Sequence, residues 1–147
     1  MTLDDLLEAW RVNNAVTLEL LDFCPDDTFE LKPGKGKTIR SNFVHILWVR
    51  GEMIRDKFPK EPIPKLDWKS ATRKEISDAL AKTEAQMAKV FARREASKGK
   101  MSLMTFFAYL ISHEAHHRSQ IEIALRLNDV GPAEDKIWYD WWDWGKK

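Results

Sequence analysis

The sequence predicts an all-α protein, a four-helix bundle. Four stretches of about 17 to 26 residues repeat their apolar side chains at helical spacing. No period-two alternation bounded by turn residues competes with them. Non-helical connectors separate them, which suits helices packed around one core. The chain has 147 residues, long enough for such a core without staples and expected to form a single domain over residues 1–147. A Trp-rich tail occupies 133–147.

The first helix is expected from residue 3 to about 22. Leu3, Leu6, Leu7, Trp10, Asn14, Leu18 and Leu21 share one face, and Thr2 with Asp5 has the form of a capping box. "CPDD" breaks it, and "TFELKPGKGKT" connects. The second helix is predicted from about Ile39 to Phe58, with Val44, Leu47, Trp48, Gly51 and Ile54 as its inner stripe. "PKEPIPKLDW" carries three prolines and cannot be helix interior. It is long enough to cross the bundle, so the topology need not be simple up-down. The third helix starts at Thr72, capped with Glu75, and runs to about Arg94 with Ile76, Leu80, Thr83, Met87, Val90 and Phe91 inward. The fourth runs from about Ser102 to Leu127, where "NDVGP" stops it, with Gly131 and Pro132 as the expected terminator.

Composition excludes several classes. A net charge of +1 gives no global electrostatic case for nucleic acid. No apolar run is long enough to span a membrane. The acidic, amphipathic start "MTLDDLLEAWRVNN" lacks the layout of a signal peptide. The single cysteine, Cys24, rules out an internal disulfide and reads as a small buried or loop residue. These features together predict a cytoplasmic protein. "GKGKT" at 34–38 resembles part of a phosphate-binding loop, but Leu31 stands where the pattern needs glycine, so it reads as a solvated basic loop.

The chemistry concentrates in "SHEAHHRSQIEIAL", which holds three of the four histidines. On a helical wheel Leu103, Phe106, Leu110, His113, His117, Ile121 and Ala124 form one stripe, so His113 and His117 interrupt the inward face. They stand about 6 Å apart along the axis and about 40° around it. Imidazoles at this spacing can share one metal ion. Burying both unpaired costs several kcal/mol, roughly, which a metal would offset. A hydrogen-bonded core histidine is the bland alternative. His116 points elsewhere and is expected at the surface or behind a ligand. His45 lies near the start of the second helix, beside its stripe. In an antiparallel bundle it can meet the pair, though sequence leaves that meeting open. "HEAHH" also matches H-E-x-x-H, but Gln120 and Ile123 stand where the extended protease motif needs glycine and histidine. No peptidase is expected.

A histidine in "SNFVHILWVRGEMI", the run "HEAHHRSQIEIALR" read as HxxxHRxQI, and the closing tryptophans together resemble the DinB-like (YfiT-like, damage-inducible) superfamily of four-helix bundle metalloproteins. The likeness covers nearly the whole chain. Ser119 replaces the glycine usual between the arginine and the glutamine. The resemblance implies a bundle with long crossover connections. It also implies a divalent metal ion, nickel, zinc, iron or manganese, on His45, His113 and His117. Three protein ligands leave positions open, the layout of a catalytic site.

Some relatives are transferases or isomerases that use bacillithiol, mycothiol or glutathione. The resemblance therefore implies a metal-dependent S-transferase joining a low-molecular-weight thiol to a small electrophile, with a small-molecule substrate and a homodimeric state. The alternatives are a metal-dependent hydrolase with Glu114 or a water chain as base, and a non-enzymatic metal- or ligand-binding stress protein. Glu114, Arg118 and Gln120 flank the ligands and are candidate catalytic residues. Arg118 and Gln120 could serve behind the ligands or hold a thiol's carboxylates; surface charge pairing is the competing reading. Glu52, two turns beyond His45, reads as solvated. The four tail tryptophans, Trp138, Trp141, Trp142 and Trp144, are expected to pack over the bundle, with a pocket lid or dimer face as the alternative.

Overall fold

The computed structural model describes residues 2–97, 100–132, 136 and 141–147. Four helices carry the fold: α1 (Leu3–Phe23), α2 (Ile39–Lys57), α3 (Arg73–Glu95) and α4 (Leu103–Leu127). Each start has a local cause. Thr2 with Asp5 and Thr72 with Glu75 form complete capping boxes, while Thr38 and Ser102 each accept a backbone N–H with their hydroxyl. Acceptors at these caps satisfy amides that the first helical turn leaves without partners.

Two apolar clusters fill the bundle, one at each end. The first joins the C-terminal part of α1 (Leu20, Leu21) to the N-terminal parts of α2 (Ile39, Phe43) and α3 (Ile76, Leu80) and to Ile121 and Leu125 of α4. The second joins Leu6 and Trp10 to Ile54, Met87, Phe91, Phe106 and Leu110. The chain directions follow. α1 and α4 run one way, and α2 and α3 run the other. α2 and α3 are parallel neighbours, so the segment between them must return the full length of the bundle. Thirteen extended residues (59–71) reach about 45 Å, more than the roughly 28 Å length of α2. The proline-rich connector is therefore the crossover. α1 and α2 lie on a diagonal, with α3 and α4 between them. α2 packs antiparallel against α4, and that seam carries the histidines.

Two expectations are corrected here. Trp48 does not join the inner stripe of α2: it is 51% exposed, because the wheel position it occupies faces the crossover segment rather than a helix. Helix α4 does not stop on Gly131. Asn128 is its C-cap, and Asp129 takes the left-handed conformation at φ 58°, a role aspartate tolerates through its short polar side chain. Gly131 instead lies against Arg126, whose Cγ would be 2.7 Å from any added Cβ. In the tail, Trp141 is buried and meets Phe23 edge to face at 5.5 Å. Trp142 is exposed, and Trp138 lies outside the described residues.

Candidate metal centre

His45 stands two turns into α2. His113 and His117 stand one turn apart on α4. Antiparallel packing of the two helices brings the three rings together, with centroids 4.5 Å apart for His45 and His117, 4.6 Å for His113 and His117, and 5.4 Å for His45 and His113. One ring nitrogen from each lies within 4.8 Å of the others. His117 is buried, and the other two are half-buried at the surface of the seam.

The surrounding bonds determine which nitrogens are free. Asn42 donates its amide to the carbonyls of Lys37 and Thr38, so its oxygen faces His117, 2.8 Å from Nδ1. That oxygen can only accept. His117 therefore donates from Nδ1 and keeps a lone pair on Nε2. The Lys37 ammonium donates to Nδ1 of His45 at 3.2 Å, so Nε2 carries the ring proton and an ion bound to this histidine must displace the lysine contact. Nδ1 of His113 is buried and has no hydrogen-bond partner. Burial and the neighbouring imidazoles push His117 down to about 3. Burial, then Lys37 and His113, lower His45, and burial lowers His113. All three rings are thus neutral at neutral pH. A divalent ion fits this set: three neutral imidazoles, convergent, one with an orphaned nitrogen and one already oriented by an amide.

His116 is exposed and outside the group, its ring 5.1 Å from that of His117. Glu114 turns away from the histidines into the bundle, where it is 1% exposed. Arg50 grips it with two bonds, Nε to Oε1 at 2.7 Å and Nη2 to Oε2 at 2.8 Å. Asn13 donates a third at 2.7 Å. Burial, the largest single influence, would raise the Glu114 carboxyl, but the charge and hydrogen bonds of Arg50, with Arg118 and Asn13, together outweigh it and hold the group below its usual range. Arg50 also donates to Asn14 and Thr83 and stacks over Trp10 at 4.6 Å. Arg118 is buried, donating to Thr17 at 2.9 Å and lying 3.8 Å from Glu114. Both candidates therefore belong to a polar layer between the two apolar clusters. Gln120 is half-buried. Glu52 pairs with Arg55.

Sequence reasoning missed Lys37, Asn42 and Arg50. Two of them left a signal. Asn42 precedes His45 by three residues and so shares its side of α2. Phe43, Leu47, Arg50 and Ile54 recur at spacings of four, three and four, which puts Arg50 in the buried stripe. Lys37 had none, since its loop reads as solvated until Trp68 and His45 close around it.

An all-helical bundle in which two helices deliver three neutral imidazoles to one point defines the class. The chain belongs to the DinB family, whose model matches residues 1–145. Nothing among curated proteins or solved structures matches it.

Two predictions arise here. Asn42→Leu removes the acceptor that orients His117, and metal affinity is expected to fall about 10–100-fold while the fold persists. Calorimetric titration of both proteins with zinc checks this. The second concerns acid. His117 has a lower pKa folded than unfolded, so the unfolded chain binds more protons below its ordinary value of 6.5. Stability of the metal-free protein is expected to fall as pH drops below about 6.5, towards the folded value. Urea unfolding at successive pH values should show that decline, and His117→Gln should flatten it.

Proposed function

We propose that this protein holds one divalent ion on His45, His113 and His117 and uses it to transfer a low-molecular-weight thiol to a small electrophile. The convergence of three neutral imidazoles from two helices carries the metal reading. A bound ion would supply Lewis acidity, lowering the pKa of a coordinated thiol so that its thiolate is present at neutral pH. The chain's own part is to hold and orient the ligands. Asn42 orients His117, and Lys37 places a positive charge at the edge of His45, where a thiolate or a ligand's carboxylate is stabilised.

One observation favours a thiol over a hydrolytic water. The H-E-x-x-H glutamate serves elsewhere as the base for a water. Here both oxygens of Glu114 are taken by Arg50 and Asn13. A thiol, already far more acidic than water, is ionised by metal coordination without such a base, whereas a hydrolytic water would have to rely on the ion alone. No helix among the described residues is long and apolar enough to cross a membrane, and the site is read as serving small dissolved molecules.

The test is a screen of metal-loaded protein with glutathione, bacillithiol and mycothiol against a chromogenic aryl halide and an epoxide. Thiol-dependent turnover that vanishes in His113→Ala supports the transferase. Ester or amide hydrolysis without any thiol, retained in Glu114→Gln, would replace it with a hydrolase that uses another base.

A further inference from the structure

Beside the histidines, α2 and the crossover segment leave a cleft of about 150 Å³. Trp48, Gly51, Ile63, Pro64, Leu66 and Trp68 line it. We propose that this cleft binds a single planar ring, carried by a small anionic molecule whose charged end meets Lys37 next to the histidine cluster.

Size is the first argument. An apolar cavity of about 150 Å³ holds one benzene ring, and this cleft offers that volume beside its apolar residues, with Glu52, Arg55 and Lys65 also in the lining. The second is apolar surface. Trp48 and Trp68 are 51% and 38% exposed, and two large rings facing one slot are surface that folding has not used. Flat walls of this kind favour an offset or edge-on aromatic partner. Location is the third. Trp48 stacks near His45 at 5.7 Å between centroids, and Trp68 lies 6.0 Å from the same ring, so a ring in the slot carries its substituent to the cluster.

Charge selects the substituent. The Lys37 ammonium is 5.6 Å from the Trp68 centroid and 3.2 Å from His45 Nδ1. No carboxylate pairs with it among the described residues, whereas Glu52 and Arg55 at the rim neutralise each other. Lys65 adds a second positive charge to the lining. A cationic ligand would meet these lysines head-on. Gly51 keeps the slot open, since a Cβ there would stand 3.0 Å from Ile63 Cγ2.

As a statement about substrate class this rests on the proposed transferase reaction, with an aromatic acid that carries a ring halide as the electrophile: the thiolate forms the carbon–sulfur bond as the carbon–halogen bond breaks and halide leaves. The binding itself requires no metal, which separates the two in the test. Fluorine NMR would follow para-fluorobenzoate, para-fluorobenzylamine and fluoroacetate binding to chelator-treated protein, then to zinc-loaded protein. The expected result is saturable binding of the aryl acid to metal-free protein, at least about tenfold tighter than either the amine or the ringless acid. Trp68→Leu and Gly51→Val should each weaken it at least about tenfold, and Lys37→Gln should bring acid and amine to similar affinity. Trp68 sits on an exposed connector, so its variant remains informative if Gly51→Val does not fold. Binding that appears only with zinc means that the carboxylate merely ligates the ion, and binding that ignores Trp68→Leu means that the ring sits elsewhere; either overturns the cleft assignment. Ring-selective binding by a protein that takes up no metal leaves the cleft standing and removes the transferase.

Discussion

Arg50→Met is expected to destabilise the protein by about 3–5 kcal/mol, the range for removing one partner of a buried ion pair. Arg50 is fully buried. Its removal leaves the Glu114 carboxylate in the bundle interior with Asn13 as its remaining close donor and Arg118 at 3.8 Å. The Coulomb attraction that keeps that carboxyl ionised against desolvation is then lost. In a chain of this size each kcal/mol moves the melting temperature by about 2–4 °C, so a fall of about 10 °C is expected. The double variant Arg50→Met with Glu114→Leu should recover part of the loss, because the buried carboxylate is gone while Asn13, Asn14 and Arg118 still lose a partner. Thermal unfolding of the two proteins decides it. A single variant within about 1 kcal/mol of wild type would mean that the pair contributes little, and the polar layer would need another explanation.

His117→Ala is expected to abolish stoichiometric metal binding. Loss of an outer partner costs about 10–100-fold in affinity, and loss of a ligand nitrogen costs more. His117 is the most buried of the three and the one whose free lone pair is set by Asn42. Elemental analysis of untagged protein should give near one ion per chain in wild type and almost none in the variant. A second readout is stability. An ion present at about a thousand times its dissociation constant raises the unfolding free energy by about 4 kcal/mol, so added nickel or zinc should raise the melting temperature of wild type alone. A wild type that is empty and refuses nickel, zinc, iron and manganese would sink the metal centre, and the transferase with it.

The two predictions concern different faces of one helix. Glu114 and His117 are three residues apart on α4, yet one anchors the interior and the other faces the α2 seam. In sequence they read as members of a single H-E-x-x-H motif, with the glutamate poised to assist chemistry at the metal. The motif's spacing is a local property. The direction of the glutamate depends on what stands opposite, and here that is a guanidinium 64 residues away. Arg118 was legible as a charge next to a ligand, but its burial against Thr17 of α1 was not. The His113–His117 pair was fully legible, since helical periodicity alone places both on the inner stripe.

The four helices, their caps at Thr2 and Thr72, the proline-rich connector and the pairing of two imidazoles on one face are readable from the chain. These rest on interactions within one or two turns, and such interactions are written in adjacent residues. Packing between distant segments sets the parallel run of α2 and α3, the meeting of His45 with the pair across the α2–α4 seam, and the turn of Trp48 towards the crossover segment instead of the core. The same packing brings Arg50 to Glu114 and lets the Lys37 side chain reach from its basic loop to His45. Each of those depends on contacts between residues distant in the chain, whose geometry is set by how the two apolar clusters pack, and no local pattern encodes that.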